Sequence, residues 1–147
     1  MNKKEYYLFI KRVMKVSVAL YMHKMVIAGL GGATGALARY GVSILIPSSV
    51  HSIPYGTLCI NGLGSFVLAC LTYSIFMNGK HERLKVFFGT GLCGGFTTMS
   101  AFALEVTNLV MYHPAYGFIY LMLNMVIGIL MAWLGFITGS RSGGAFS

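Results

Sequence analysis

GLCGGFTTMSAF, residues 91–102, lies within an apolar run, yet it carries Gly91, Gly94 and Gly95, with Gly89 just before them, followed by the hydroxyls of Thr97, Thr98 and Ser100. Neither kind of residue suits a helix that has only to cross lipid. Glycine loosens a helix, and polar groups in hydrocarbon need partners. The stretch therefore predicts a helix that unwinds here, which a membrane tolerates only where protein or water satisfies the freed backbone. Unwound carbonyls can hold a small cation, and half-helix N-termini favour an anion. The residues alone leave two readings open: an ion site, or a glycine kink backed by threonine hydroxyls.

The rest of the chain sets the context. Of 147 residues, 56% are hydrophobic and only 10% charged, with a mean hydropathy of +0.74, which excludes an ordinary soluble domain. Four apolar segments stand out, at 25–46, 56–77, 86–112 and 115–138, and Arg39 and Glu105 are the only charges inside them. Each can cross a hydrocarbon core of about 30 Å, which takes about 20 residues. Short turn-like connections join them, at Pro47-Ser48-Ser49, at Asn78-Gly79-Lys80 and at His113-Pro114. The expected fold is all-α: one four-span membrane domain over 25–140 with a broken third helix, a basic segment over 1–24 and a tail over 141–147.

A net charge of +8 suggests nucleic acid until the charges are placed. Lys3, Lys4, Lys11, Arg12, Lys15 and Lys24 precede the first span, Lys80, Arg83 and Lys85 fall in the second loop, and Arg141 is in the tail. With four spans all of these share one side, and the first and third loops carry no Lys or Arg. The positive-inside rule puts both termini in the cytoplasm, so the charge reads as topology and no nucleic-acid partner is expected. Residues 1–24 read either as an amphipathic segment on anionic lipid or as a stretch ahead of a start at Met22 or Met25. A signal peptide fits poorly, because cleavage after Ala36-Leu37-Ala38 would remove most of the first span. Cys59, Cys70 and Cys93 show no CxxC spacing and read as small packing residues.

Three glycine pairs four residues apart, Gly31/Gly35, Gly91/Gly95 and Gly135/Gly139, predict close helix contacts. GLGGATG at 29–35 lacks both the third glycine and the βαβ setting of a dinucleotide loop. Arg39 and Glu105 either snorkel to an interface or face a partner inside the membrane. Asn61 and Asn124 are either interhelical glue or, with Tyr120 and Gly128 one turn to either side of Asn124, part of a polar track. No intramembrane acid pair serves a proton relay and no phosphate loop is present. A pump or an enzyme is therefore not expected, and a four-span drug exporter would want a carboxylate where span one has only Arg39.

GGATGALARYG (31–41), GTLCINGLGSF (56–66) and GLCGGFTTMSAF (91–102) resemble, in order and spacing, the three signature stretches of the Fluc (CrcB) fluoride channel family. The resemblance covers about residues 25–140. It implies a four-span protein assembling as an antiparallel dimer with two fluoride pores, conducting fluoride passively out of the cytoplasm around a central structural sodium ion that is not transported. Carried over by position, it implies backbone carbonyls of Gly94 and Thr97 as sodium ligands, with two chains supplying four. It makes Asn61, Met99, Ser100, Phe102, Tyr120 and Asn124 pore residues and places Arg39 in the vestibule. The family has two phenylalanines in span three whose positive ring edges face the anion. Phe102 matches the second, while Met99 stands in place of the first, Ala101 in place of a threonine, and Asn124 and Gly128 where hydroxyls are usual.

A chain that pairs with itself in antiparallel fashion must insert both ways, which needs a weak charge bias between the two sides. Ten of the eleven Lys and Arg here share one side. With the missing phenylalanine, this leads to the expectation of one-way insertion and of a similar, oppositely oriented second subunit. The alternative function is a non-conducting or half-active structural subunit of such a heterodimer.

Overall fold

The computed structural model describes residues 3–47, 52–74 and 81–143, and within them the regular structure is all helix, with no strand. Helix α1, Lys3–Leu45, runs unbroken for 43 residues, about 65 Å at 1.5 Å per residue. Helix α2 is Tyr55–Ser74. Helix α3, residues 82–96, begins as the α-turn Glu82–Leu84, widens to π winding over Lys85–Cys93 and returns to α over Gly94–Phe96. After a break come α4, Met99–Tyr112, and α5, Pro114–Gly143. The expected turns at Ser48-Ser49 and Asn78-Gly79-Lys80, and the tail beyond 143, lie outside the described residues.

Three stretches among the described residues are long and apolar enough to span a membrane: Tyr55–Ser74, Glu82–Tyr112 and Pro114–Ser142. The second of these runs through the break. The expected first span, 25–46, lies almost wholly within α1, but five glycines and Arg39 keep it less apolar than the others. The basic segment from Lys3 onward is not a separate surface helix but the same helix as that span.

Few apolar side chains are buried. Leu58, Ile60, Cys93, Phe102, Leu109 and Tyr120 are, while Leu37, Ile129 and Trp133 lie on the outside, as lipid-facing residues do. Lipid is as apolar as leucine, so hydrophobic burial adds little between membrane helices and close backbone contact carries the packing. The glycine pairs supply that contact along two seams. In the first, Gly31 and Gly35 of α1 meet α3: a Cβ on Gly91 would lie 2.8 Å from the Gly31 Cα, one on Gly95 2.9 Å from the Gly32 Cα, and one on Gly35 2.9 Å from the Phe96 nitrogen. In the second, Gly135 and Gly139 of α5 rest on the backbone of Phe66 and Cys70 in α2. All three pairs thus sit at helix contacts. The exposed Lys24–Glu82 ion pair (2.6 Å) borders the first seam, and in water such a pair adds little.

A single residue, His113, separates α4 from α5. Its N–H donates to the Leu109 carbonyl (2.7 Å) while its own carbonyl accepts from Gly117 (3.1 Å), so each helix end is tied off. Pro114 opens α5, where its missing N–H leaves no bond unmade. The hairpin is tight because Gly117 lies directly on Val110.

The stretch expected as the third span is broken, but at Thr97 and Thr98, past the glycines at 94 and 95. Gly94 keeps helical angles (φ −65°, ψ −36°). The extended residues are Thr97 (φ −73°, ψ 156°) and Thr98 (φ −144°, ψ 110°). Gly91 and Gly95 serve helix packing instead, and the break has another cause.

Candidate ion pathway at the helix break

That cause is Asn61. In a continuous α-helix the Thr98 N–H would bond to the Gly94 carbonyl four residues back. Here it donates to Asn61 Oδ1 (3.0 Å), while Asn61 Nδ2 donates to the Thr98 carbonyl (3.4 Å). The amide of α2 thus pairs with both backbone groups of Thr98, as a neighbouring strand would. One turn on, the Ala101 N–H, which would serve the Thr97 carbonyl, donates to Thr98 Oγ1 (3.2 Å), a side-chain N-cap for α4. The donors that a helix would give to the Gly94 and Thr97 carbonyls are therefore both diverted. α2 reaches the break because Gly64 lies against the Thr97 methyl, where a Cβ has no room. Thr97 closes the first half, its N–H and hydroxyl both donating to the Cys93 carbonyl (3.0 and 2.9 Å).

Beside the break runs an open groove of about 720 Å³, lined by Asn61, Gly94, Thr97, Met99, Phe102 and Asn124 among others. Six residues expected at the pore or metal site thus surround one space, and Gly128 joins them. Phe102 is buried (9% exposed), whereas Met99 is 74% exposed. Asn61 Nδ2 also donates to Asn124 Oδ1 (3.3 Å), linking α2 to α5. Tyr120 lies just behind the groove, fully buried, its ring 5.5 Å from that of Phe102. Ser100 is exposed, its Oγ 3.4 Å from that of Thr98.

Arg39 stands apart from this groove. It lines a second cavity, of about 390 Å³, together with Thr57, Thr98 and Glu105. Glu105 does not snorkel: Thr57 Oγ1 donates to its Oε1 (2.8 Å) and the Tyr120 hydroxyl to its Oε2 (2.6 Å). Of the two alternatives the sequence leaves for Glu105, it is the partner inside the protein that the structure shows, and one of those partners, Thr57, carries no motif of its own. Helical spacing held the clue, since Glu105 follows Phe102 by three residues, Thr57 precedes Asn61 by four and Tyr120 precedes Asn124 by four. Thr98 lines both cavities, so polar groups continue from Asn124 through Asn61 and Thr98 to Glu105.

Amide and hydroxyl donors, an aromatic ring and carbonyls deprived of helical donors are groups that replace water around small ions. The family described as "CrcB-like protein, Camphor Resistance (CrcB)" matches residues 26–136, a range that holds both cavities. Among similar proteins, the "Fluoride-specific ion channel FluC 2" of Bacillus subtilis is 37% identical over 115 residues, 78% of this chain and 86% of the relative. The "Fluoride-specific ion channel FluC" of Methanopyrus kandleri is 37% identical over 113 residues, 76% of this chain and 86% of its own. That of Thermotoga maritima is 39% identical over 112 residues, 74% and 88% of the two chains. With a match over most of its length and the three motifs in place, this chain belongs to the CrcB-like protein family.

Proposed function

We propose that this chain is a subunit of a fluoride channel of the cell membrane that conducts the anion passively out of the cytoplasm and so lowers its toxicity there. The observation that carries this reading is the linked amide pair Asn61–Asn124, laid beside Phe102 along a groove at the break, with Tyr120 packed against Phe102 just behind it. Fluoride is small and tightly hydrated. A route for it needs hydrogen-bond donors and positive ring edges in place of water. The names of the relatives point to the same ion. Asn61, Met99, Ser100, Phe102, Tyr120 and Asn124 line or support the route in this reading, and Arg39 draws anions into the adjoining vestibule.

Two chains assemble antiparallel, with a structural sodium ion between them. The Gly94 and Thr97 carbonyls fit that ion, because the N–H groups that would occupy them in a helix are diverted to Asn61 and Thr98. Gly94 is also exposed, with open space around a would-be Cβ, which leaves its side of the break accessible to a second chain. A hard cation bound by such oxygens would cross-link the two subunits without a buried carboxylate.

The strong Lys/Arg bias supports one-way insertion with both termini cytoplasmic, and hence pairing with an oppositely oriented paralogue. Met99 favours the alternative, that this chain alone is a structural or half-active partner: at the groove it presents a flexible thioether in place of a ring. Fluoride efflux from liposomes tests both. Robust flux from the purified single chain would overturn the heterodimer, and absence of flux with any paired subunit would overturn the channel reading. Met99→Phe raises the flux if the groove is a weakened pore and leaves it unchanged if this chain's groove conducts nothing.

A further inference from the structure

The start of α1 is left over once the bundle is assembled. The helix runs for about 30 Å before Lys24, and every side chain described from Lys3 to His23 is exposed. Lys24 is the first that is partly buried, and it pairs with Glu82 at the head of α3. A helix draws most of its stability from packing an apolar face, and the extension has such a face. Tyr6 and Val13 stand 18 and 11 residues ahead of Lys24, about five and three turns. They therefore share the side on which Lys24, Gly31 and Gly35 meet α3, and Phe9 flanks them. α3 begins only at Glu82, so this apolar side runs on past the end of its neighbour. Lys4, Lys11 and Lys15 stand on the opposite side with Arg12 at its edge, and Glu5 is the only acid before the first span.

A helix with one apolar side and one basic side, rooted in a span, has the make-up of one that lies in a membrane surface. Clusters of Lys and Arg next to a span on its positive side suit anionic headgroups. We propose that α1 bends just ahead of Lys24 and lays residues 3–23 on an anionic lipid leaflet. A bend toward the α3 side turns Tyr6, Phe9 and Val13 down into the acyl boundary. The helix is about 10 Å across, so Lys4, Lys11, Arg12 and Lys15 stay within about a Debye length of the headgroups. An acidic protein or a nucleic acid would answer the lysines and leave the apolar side in water. A leaflet answers both sides, and the span keeps the extension at that leaflet at high effective concentration.

Nitroxide labels at Val13→Cys and, separately, at Lys11→Cys, in the full chain otherwise free of cysteine, report depth in nanodiscs of phosphatidylcholine with or without phosphatidylglycerol. With phosphatidylglycerol the Val13 label is expected to become accessible to oxygen and shielded from a water-soluble nickel chelate, while the Lys11 label stays open to the chelate. Without it both labels stay in water. Lys4→Gln, Arg12→Gln and Lys15→Gln together, at about fivefold per charge, are expected to lower the bound-to-free ratio of the Val13 label about 100-fold. A Val13 label that stays in water in anionic discs overturns the proposal and leaves the face to a partner outside the membrane. A label immersed equally in both lipids, or one that the triple substitution does not release, overturns it too. In the unlabelled chain, trypsin is expected to cut after Lys11, Arg12 and Lys15 more slowly in anionic discs, and equal rates in both lipids count against the leaflet in the same way. None of these outcomes bears on conduction.

Discussion

Glu105→Leu and Tyr120→Phe form a double-mutant cycle on the bond that fastens α4 to α5. The Tyr120 ring is 0% exposed and Thr57 is 6% exposed, and their hydroxyls donate to the two oxygens of the same carboxyl at 2.6 and 2.8 Å. Glu105→Leu leaves both hydroxyls without their acceptor, at about 1–3 kcal/mol each, or about 2–6 kcal/mol together. Tyr120→Phe removes one donor and spares the other. Once Glu105 is gone the Tyr120 hydroxyl is a liability, so deleting it costs less in that background than in the parent. Hydrogen bonds between membrane helices average only about 0.6 kcal/mol and reach about 1.7, because separated helices find other partners. The short bond and the buried ring place this one near the top, so the expected coupling is about 1.5 kcal/mol. Reversible unfolding by SDS titration in mixed micelles, followed through Trp133, the chain's one tryptophan, measures it. Additivity within about 0.5 kcal/mol would refute the reasoning, since it would mean that the carboxyl does not hold the two helices together.

The glycines separate into those that pack and those, Gly94 among them, that meet nothing. Gly35→Ala drives a methyl into the backbone of Leu92 and Phe96 and is expected to cost about 1–3 kcal/mol in the same unfolding assay. Gly94→Ala meets nothing within 4 Å; it is expected to leave the single chain's stability within about 0.5 kcal/mol of the parent while weakening the dimer, read by light scattering in detergent with sodium present and absent. Thr98→Ala removes the cap on Ala101 and is expected to cost about 1 kcal/mol, with Thr98→Ser restoring most of it in the same titration. For topology, single cysteines in place of Lys3 and Ser142, in a chain otherwise free of cysteine, are expected to react with an impermeant maleimide from the same side of the membrane.

Much of this was legible in the sequence because it is local. Length and apolarity fix the helical stretches, and the GxxxG pairs mark the faces where backbones meet. The break was readable as an event but not as a position. Gly94 and Gly95 advertise loosening, yet the residue that takes the Thr98 N–H is Asn61, 37 positions away, and no local pattern names it. The partners of Glu105 lie 48 and 15 residues off, and only the helical spacing of each of the three from a recognised site residue hinted that they meet. The π winding of Lys85–Cys93 has no signature that composition reveals. The polar residues themselves were visible one by one; which of them pair depends on three helices meeting.

Asn61 precedes residues 97–98 in the chain, and this gives the break a history as well as a geometry. When a ribosome feeds the protein into the bilayer, the amide that diverts the Thr98 N–H has already emerged with span two before span three begins to leave the exit. The interruption therefore draws on an earlier helix as well as on the Thr97 and Thr98 side chains of the segment that bears it.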